Sequence, residues 1–227
     1  MMGKKEFVRE TFEDRATWLN ARGIGGSSAS AIMGLNPYST EIDVYNNFVH
    51  GKNVDDSKHT ESQEYGTLCE PLIRQMVILD FPNWEVHEPD GYEMFRRKDK
   101  PYMTATLDGW AVNKETKEKI VIEIKTHDWR KGDEKDWDGT LPANYFIQVC
   151  HYLAVRRDMD GALLIAKLRY FDYSHGKKVS KQEIRYYWLW RSDKAIADTI
   201  EMIEKKETDF YVNHIEKRIP PKISIKF

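Results

Sequence analysis

The chain has 227 residues, enough to bury a substantial core in one large domain. Apolar residues make up 41% and charged residues 32%, with a formal net charge of −2; this excludes a disordered chain and a uniformly basic nucleic-acid coat, but not a local basic patch. Two cysteines, Cys69 and Cys150, build neither a secreted disulfide framework nor a four-cysteine metal site, and both read as buried thiols.

In chain order, "MMGKKEFVRE" has no apolar signal core, and no stretch reaches the roughly 20 apolar residues of a membrane span. A soluble protein of a reducing compartment is expected. "SSASAIMGLNPYSTEIDVYNNFV" (27–49) reads as a short helix, a turn at "LNPYS" and a second helix. The polar stretch 50–62 lacks periodicity and is expected to be mobile. Leu68, Leu72, Ile73, Met76 and Leu79 recur at helical spacing, which predicts a helix over 67–79 with these residues as its apolar face. Four strand-like segments follow: "EVHEP", "GYEMFRR", "YMTATLDGWAV" and "KIVIEIKT". A helix over 144–156 comes next, then strands "ALLIAKLRYFDY" and "EIRYYWLWR". The last helix, about 192–215, has Ser192 as its cap and Asp193 in its first turn. The expected fold class is α/β (α+β), a mixed central β-sheet flanked by helices. One domain is expected over 1–227, with an N-terminal helical segment (about 1–62) and the C-terminal helix packed on it.

The chemistry concentrates in "YMTATLDGWAV" and "KIVIEIKT", joined by the polar turn "NKETKE". A hairpin centred near Glu115 and Thr116 sets Asp108 opposite Glu123. Strand alternation puts Lys125 on the face of Glu123, with Ile120, Ile122 and Ile124 on the other. Adjacent carboxylates raise each other's pKa unless a cation lies between them. A hard divalent cation such as Mg²⁺ suits them, because it takes oxygen ligands and is shared with substrate phosphates. Lys125 beside it is suited to positioning a water or stabilising charge. The alternative is an ordinary hairpin whose wet face carries two acids offset by a lysine.

With its flanking segments this pair resembles a known family. "ATLDG" followed by "VIEIKT" is similar to the core motif of the PD-(D/E)XK nuclease superfamily. "WLNARGIGGSSASAIMGLNPY" (18–38), "YGTLCEPLIR" (65–74) and "YFIQVCHYLAV" (145–155) resemble, in order, the signatures of the YqaJ-like viral recombinase family, which includes the lambda-type alkaline exonucleases. The matches run from Trp18 to Val155. The resemblance implies a restriction-endonuclease-like core and a Mg²⁺-dependent 5′→3′ exonuclease, with Mn²⁺ as a substitute metal. Such an enzyme digests linear double-stranded DNA from its ends and leaves 3′ overhangs for phage-type recombination. A ring-shaped homotrimer, a single-strand annealing protein as partner and the cytoplasm of a bacterial host are implied with it. So is a two-metal in-line hydrolysis, in which Asp108, Glu123 and the Ile124 backbone carbonyl hold the metal and Lys125 positions the attacking water. Glu70, Gln148 and Tyr152 support that site, and Arg22 and Ser27 bind the 5′-phosphate end of the DNA. Ser28 stands where relatives often have Asp, and Arg15 rivals Arg22.

Plain structural readings stand beside these. Glu70 follows Thr67 by three, as in a capping box, with Pro71 tolerated early in the helix. Gln148, Tyr152 and Tyr145 share a helix face, as an amphipathic edge would. "RGIGGSSAS" fits a phosphate-binding helix start or an ordinary Gly-Ser cap. His127 and His151 read as polar neighbours, and Trp129 and Trp137 as core or interface. The runs Arg96, Arg97, Lys98 and Arg130, Lys131 read as phosphate contacts or a solvated face. Three rival functions stay open. An endonuclease of the same superfamily cuts circular duplex as well. An iron–sulfur nuclease needs four cysteine ligands, and the chain has two. A DNA-binding or assembly protein without activity has no use for an intact set of Asp108, Glu123 and Lys125.

Overall fold

The computed structural model describes residues 6–51, 60–129, 134–172 and 179–222. Residues 52–59 of the polar stretch, and Arg130 and Lys131, lie outside them. The described chain opens with β1 (Phe7–Phe12), followed by α1 (Arg15–Ala21), α2 (Gly26–Ile32), α3 (Glu41–Val49) and the long α4 (Glu61–Asp80). Strands β2 (Trp84–His87), β3 (Tyr92–Arg97), β4 (Thr104–Ala105), β5 (Gly109–Asn113) and β6 (Lys119–Asp128) come next. Then follow α5 (Glu134–Trp137), α6 (Ala143–Val155), β7 (Gly161–Asp172), β8 (Val179–Trp190) and α7 (Lys194–Phe210), which runs into a π-helical turn, Tyr211–Glu216.

The strands form a small antiparallel sheet, β1-β3-β4, and a mixed sheet, β2-β5-β6-β7-β8. Among the described strands, only β6 and β7 pair in parallel. A parallel pair requires a crossover, and α5 with α6 supplies it. β6 is therefore the central strand, and it is buried continuously from Ile120 to Ile124, as a strand covered on both faces must be. Ile120, Ile122 and Ile124 pack with Cys69, Ile73 and Val77 of α4. Val121 points the other way, into a cluster with Ile147, Val149 and Leu153 of α6. The mixed sheet flanked by helices is the fold class expected. Cys69 and Cys150 are buried free thiols, and Trp137 belongs to the core. No helix among the described residues is long and apolar enough to cross a membrane.

Several local expectations give way. The N-terminal segment is not all helical: β1 pairs with β3, anchored by an edge-on contact of Phe7 with Phe95. "YMTATLDGWAV" is not one strand. It divides into β4 and β5, which join different sheets on either side of Thr106, Leu107 and Asp108. Helix α4 starts six residues earlier than its apolar periodicity, because Thr60 and Gln63 close a capping box there. The Thr67 hydroxyl, now inside the helix, donates to the Gln63 carbonyl (3.2 Å), so "TLCE" is no cap and Pro71 is interior. The apolar stripe is also rotated. Leu68, Leu72 and Leu79 are 72%, 65% and 77% exposed, while Cys69, Ile73 and Val77 are buried. The rotation that lays Arg74 on the Asp108 carbonyl turns those leucines outward. At α7 the cap is Asp193 rather than Ser192, with the Asp193 carbonyl accepting from Ala197 N–H (2.9 Å). Arg96 and Arg97 do not track phosphates on an open face. Arg96 pairs with Glu10, and the fully buried Arg97 pairs with Asp99 and Glu204.

The packing yields a first prediction. Ile122 is wholly buried between the sheet and α4. Ile122→Ala lowers folding stability by about 2–5 kcal/mol, read as a shift in the urea midpoint at unchanged slope.

Candidate active site

The hairpin register is the expected one: Gly109↔Ile122, Trp110↔Val121, Ala111↔Ile120 and Val112↔Lys119. One step beyond, Asp108 stands opposite Glu123. The ladder ends there because the Asp108 side chain takes the next hydrogen bond: Ile124 N–H donates to Asp108 Oδ2 at 2.8 Å. In a strand the N–H and C=O of one residue leave the same edge. The Ile124 carbonyl therefore leaves β6 on the side of Asp108, past the end of β5.

Glu123 is 1% exposed. Its Oε1 accepts from Lys125 Nζ (2.5 Å) and Gln148 Nε2 (2.7 Å), and Gln148 Nε2 also donates to the Tyr152 hydroxyl (2.7 Å). Lys125 Nζ lies 5.0 Å from the centre of the Tyr145 ring. The face of α6 that reads as an amphipathic edge is thus packed down on the acid. Glu123 Oε2 is buried and has no hydrogen-bond partner. The Glu123 and Asp108 carboxyls lie within hydrogen-bonding reach of each other, but two acceptors do not satisfy each other without a proton or a cation between them.

The charges follow from this enclosure. Burial, then Asp108, pushes the Glu123 carboxyl up to about 8, against the pull of Lys125. Burial likewise raises Asp108, opposed by Lys125 and the Ile124 N–H. Burial alone would lower Lys125, yet Glu123 and Asp108 outweigh it and hold the ammonium charged. Burial and the charge of Glu123 keep the Tyr152 hydroxyl protonated. Glu70 approaches from α4, and burial with the charge of Asp108 raises it to about 7.

The "RGIGGSS" segment reaches the same place. A Cβ on Gly26 would lie 2.4 Å from Gln148 Cγ and 3.0 Å from the Tyr152 ring, so only glycine lets the start of α2 meet α6 this closely. Ser27, next in the chain, is exposed. Arg22 stacks on Trp18 (4.9 Å), donates to the Thr106 hydroxyl (3.4 Å) and is lowered by burial while feeling both Tyr152 and Arg15. His127 contacts the Trp137 ring. His151 is buried, with its ring nitrogens on Glu207 (2.7 Å) and the Thr104 carbonyl (2.9 Å). The structure therefore brings Glu70, Asp108, Glu123, Lys125, Gln148 and Tyr152 together, with Arg22 and Ser27 on the adjoining edge. Sequence reasoning missed Arg74, which donates to the Asp108 carbonyl at 2.8 Å. Its signal was its place one helical turn after Glu70.

Among the described residues, no three or more His, Cys, Asp or Glu side chains converge in metal-holding geometry. The buried, orphaned Glu123 Oε2, in a carboxyl that adjoins Asp108, nevertheless fits a hard cation, which would supply the partner that this oxygen lacks.

The architecture has a counterpart among solved structures. It is similar to the crystal structure of an alkaline exonuclease (LHK-Exo) from Laribacter hongkongensis, with a TM-score of 0.51 and 15% identity over 90% of this chain and 100% of the other. The YqaJ-like viral recombinase domain matches residues 17–158, and the chain belongs to that family. It is 28% identical over 210 residues to the "Uncharacterized protein YqaJ" of Bacillus subtilis (strain 168), which covers 87% of this chain. The chain spans 55% of that relative's length.

The raised acids set the pH dependence of stability. Glu123 binds its proton more tightly in the folded chain than in the unfolded one, where its value is the ordinary 4.5. Without metal, its contribution to stability is full below about pH 4.5 and is lost as the pH rises through about 8. Urea unfolding in a chelator, at about pH 5 and about pH 9, reads this loss, and Glu123→Gln reduces it, leaving the share of Glu70 and Asp108.

Proposed function

We propose that the protein is a Mg²⁺-dependent 5′→3′ exonuclease that digests linear double-stranded DNA and leaves 3′ single-stranded overhangs for recombination by single-strand annealing. One observation carries the reading: the buried, partnerless Oε2 of Glu123 beside Asp108, with Lys125 and Gln148 already spent on Oε1. Membership of the recombinase family and likeness to an alkaline exonuclease fold support it. Asp108, Glu123 and the Ile124 carbonyl are the metal ligands in this reading, with Mn²⁺ as an alternative ion. When bound, a divalent ion polarises the phosphate and lowers the pKa of a water.

The chain's own residues do the rest. Gln148 fixes Glu123 Oε1, which leaves Oε2 free to take a metal. Lys125, charged and resting over Tyr145, orients the attacking water and stabilises charge that grows on the phosphate. Glu70, poised near neutrality, is the acid suited to taking up a proton in the working range. Tyr152, neutral, offers its hydroxyl beside Gln148. Arg22 and Ser27, carried to the site edge by the close contact of Gly26 with α6, receive the 5′-phosphate end, with Arg15 adding charge behind Arg22. A single nuclease domain, a homotrimer that encircles duplex, an annealing protein as partner and the cytoplasm of a bacterial host infected by phage complete the reading, and these rest on family membership.

Linear duplex bearing 5′-phosphates and closed circular duplex are incubated with the protein and Mg²⁺. Loss of the linear DNA alone is expected, and Lys125→Ala slows it on the order of 10²–10³-fold. Equal cutting of the circle assigns the site to an endonuclease instead. Binding without cutting of either assigns the chain to inactive DNA-binding or assembly proteins.

A further inference from the structure

We propose that Arg74 is a positioning residue that sets the main chain at Asp108 and, through it, the direction of the carboxylate. The inference rests on the metal-nuclease reading above. The Arg74 side chain is 9% exposed. Its Nη1 donates to the Asp108 carbonyl at 2.8 Å, while the Ile124 N–H donates to the Asp108 carboxylate, also at 2.8 Å. Asp108 is thus gripped at its backbone from α4 and at its side chain from β6. It needs both grips because it precedes β5 and belongs to no strand. Without Arg74 the peptide plane after Asp108 loses this donor, and a turn of that plane swings the carboxylate away from Glu123. Gly109 clears the path: a Cβ there would lie 3.4 Å from Arg74 Cδ and 3.0 Å from the His87 carbonyl.

The cost of the arrangement points the same way. Arg74 Nε is buried without a hydrogen-bond partner. Its ion pair with Glu88 Oε1 is long, 3.7 Å, and Glu88 is more than half exposed. A buried guanidinium so incompletely paired stabilises a fold no better than an apolar side chain of similar volume. Packing alone is served at this position by Met. An apolar side chain cannot hold the Asp108 carbonyl.

Wild-type, Arg74→Met, Arg74→Gln and Asp108→Asn proteins are titrated with Mn²⁺ alone by calorimetry, with thermal melting followed by circular dichroism. Wild type binds Mn²⁺ and Asp108→Asn does not. Arg74→Met melts cooperatively and binds Mn²⁺ roughly 10–100-fold more weakly. On linear duplex its kcat falls by a similar factor while its KM for DNA holds. Should Arg74→Met fail to fold, Arg74→Gln, too short to reach the carbonyl, gives the same weakening. A folded variant at this position with wild-type Mn²⁺ affinity overturns the inference and leaves the nuclease reading standing. A wild-type protein that binds no Mn²⁺ overturns both.

Discussion

Two carboxylates, the buried Glu123 and the partly buried Asp108, are set against each other, and the surroundings are built to contain that conflict. Taking even one charge out of water costs several kcal/mol, and a second of the same sign adds repulsion. Lys125 and Gln148 compensate one oxygen of Glu123, and the Ile124 amide compensates one oxygen of Asp108. The remaining oxygen of Glu123, buried and without a protein partner, has a proton or a cation to turn to. The raised carboxyls report the first state, and a metal would replace it by the second.

The site is held from opposite faces of one sheet. α6 lies over the face that carries Glu123 and delivers Gln148 and Tyr152, and α4 lies over the isoleucine face and delivers Glu70 and Arg74. α6 is in turn tied to α7 and β4 by the buried His151, which bridges Glu207 and the Thr104 carbonyl. From sequence that histidine reads as a polar neighbour of the motif. Its partners make it a fastener of the scaffold.

Much of this was legible in the residues. The alternation of "IVIEIKT" and the length of the polar turn gave the hairpin register, and with it the meeting of Asp108 and Glu123, because strand pairing has a period of two and a slip would bury the wrong face. The order of four short motifs carried the family. α4 was the poorest reading. Its most regular apolar stripe, Leu68, Leu72 and Leu79, faces outward, since the helix is oriented by Cys69, Ile73, Val77 and the reach of Arg74 rather than by hydrophobicity summed along its length. Likewise "YMTATLDGWAV" reads as strand on both sides of Asp108 and Gly109, residues that strands disfavour, and the break falls there, where Asp108 captures the Ile124 amide.

By itself the sequence determined the local periods, the hairpin register, the fold class and the family, all of which depend on spacings that survive without a third dimension. Tertiary structure decided whether the face of Glu123 and Lys125 is wet. A strand's polar face is exposed only if nothing covers it, and here β7 makes β6 central while α6 closes over that face. It also decided which oxygen is left without a partner, and that Arg74, Gly26 and Gly109 belong to the site. These depend on contacts between residues dozens of positions apart, of which the chain's spacing encodes at most a hint, the place of Arg74 one helical turn after Glu70.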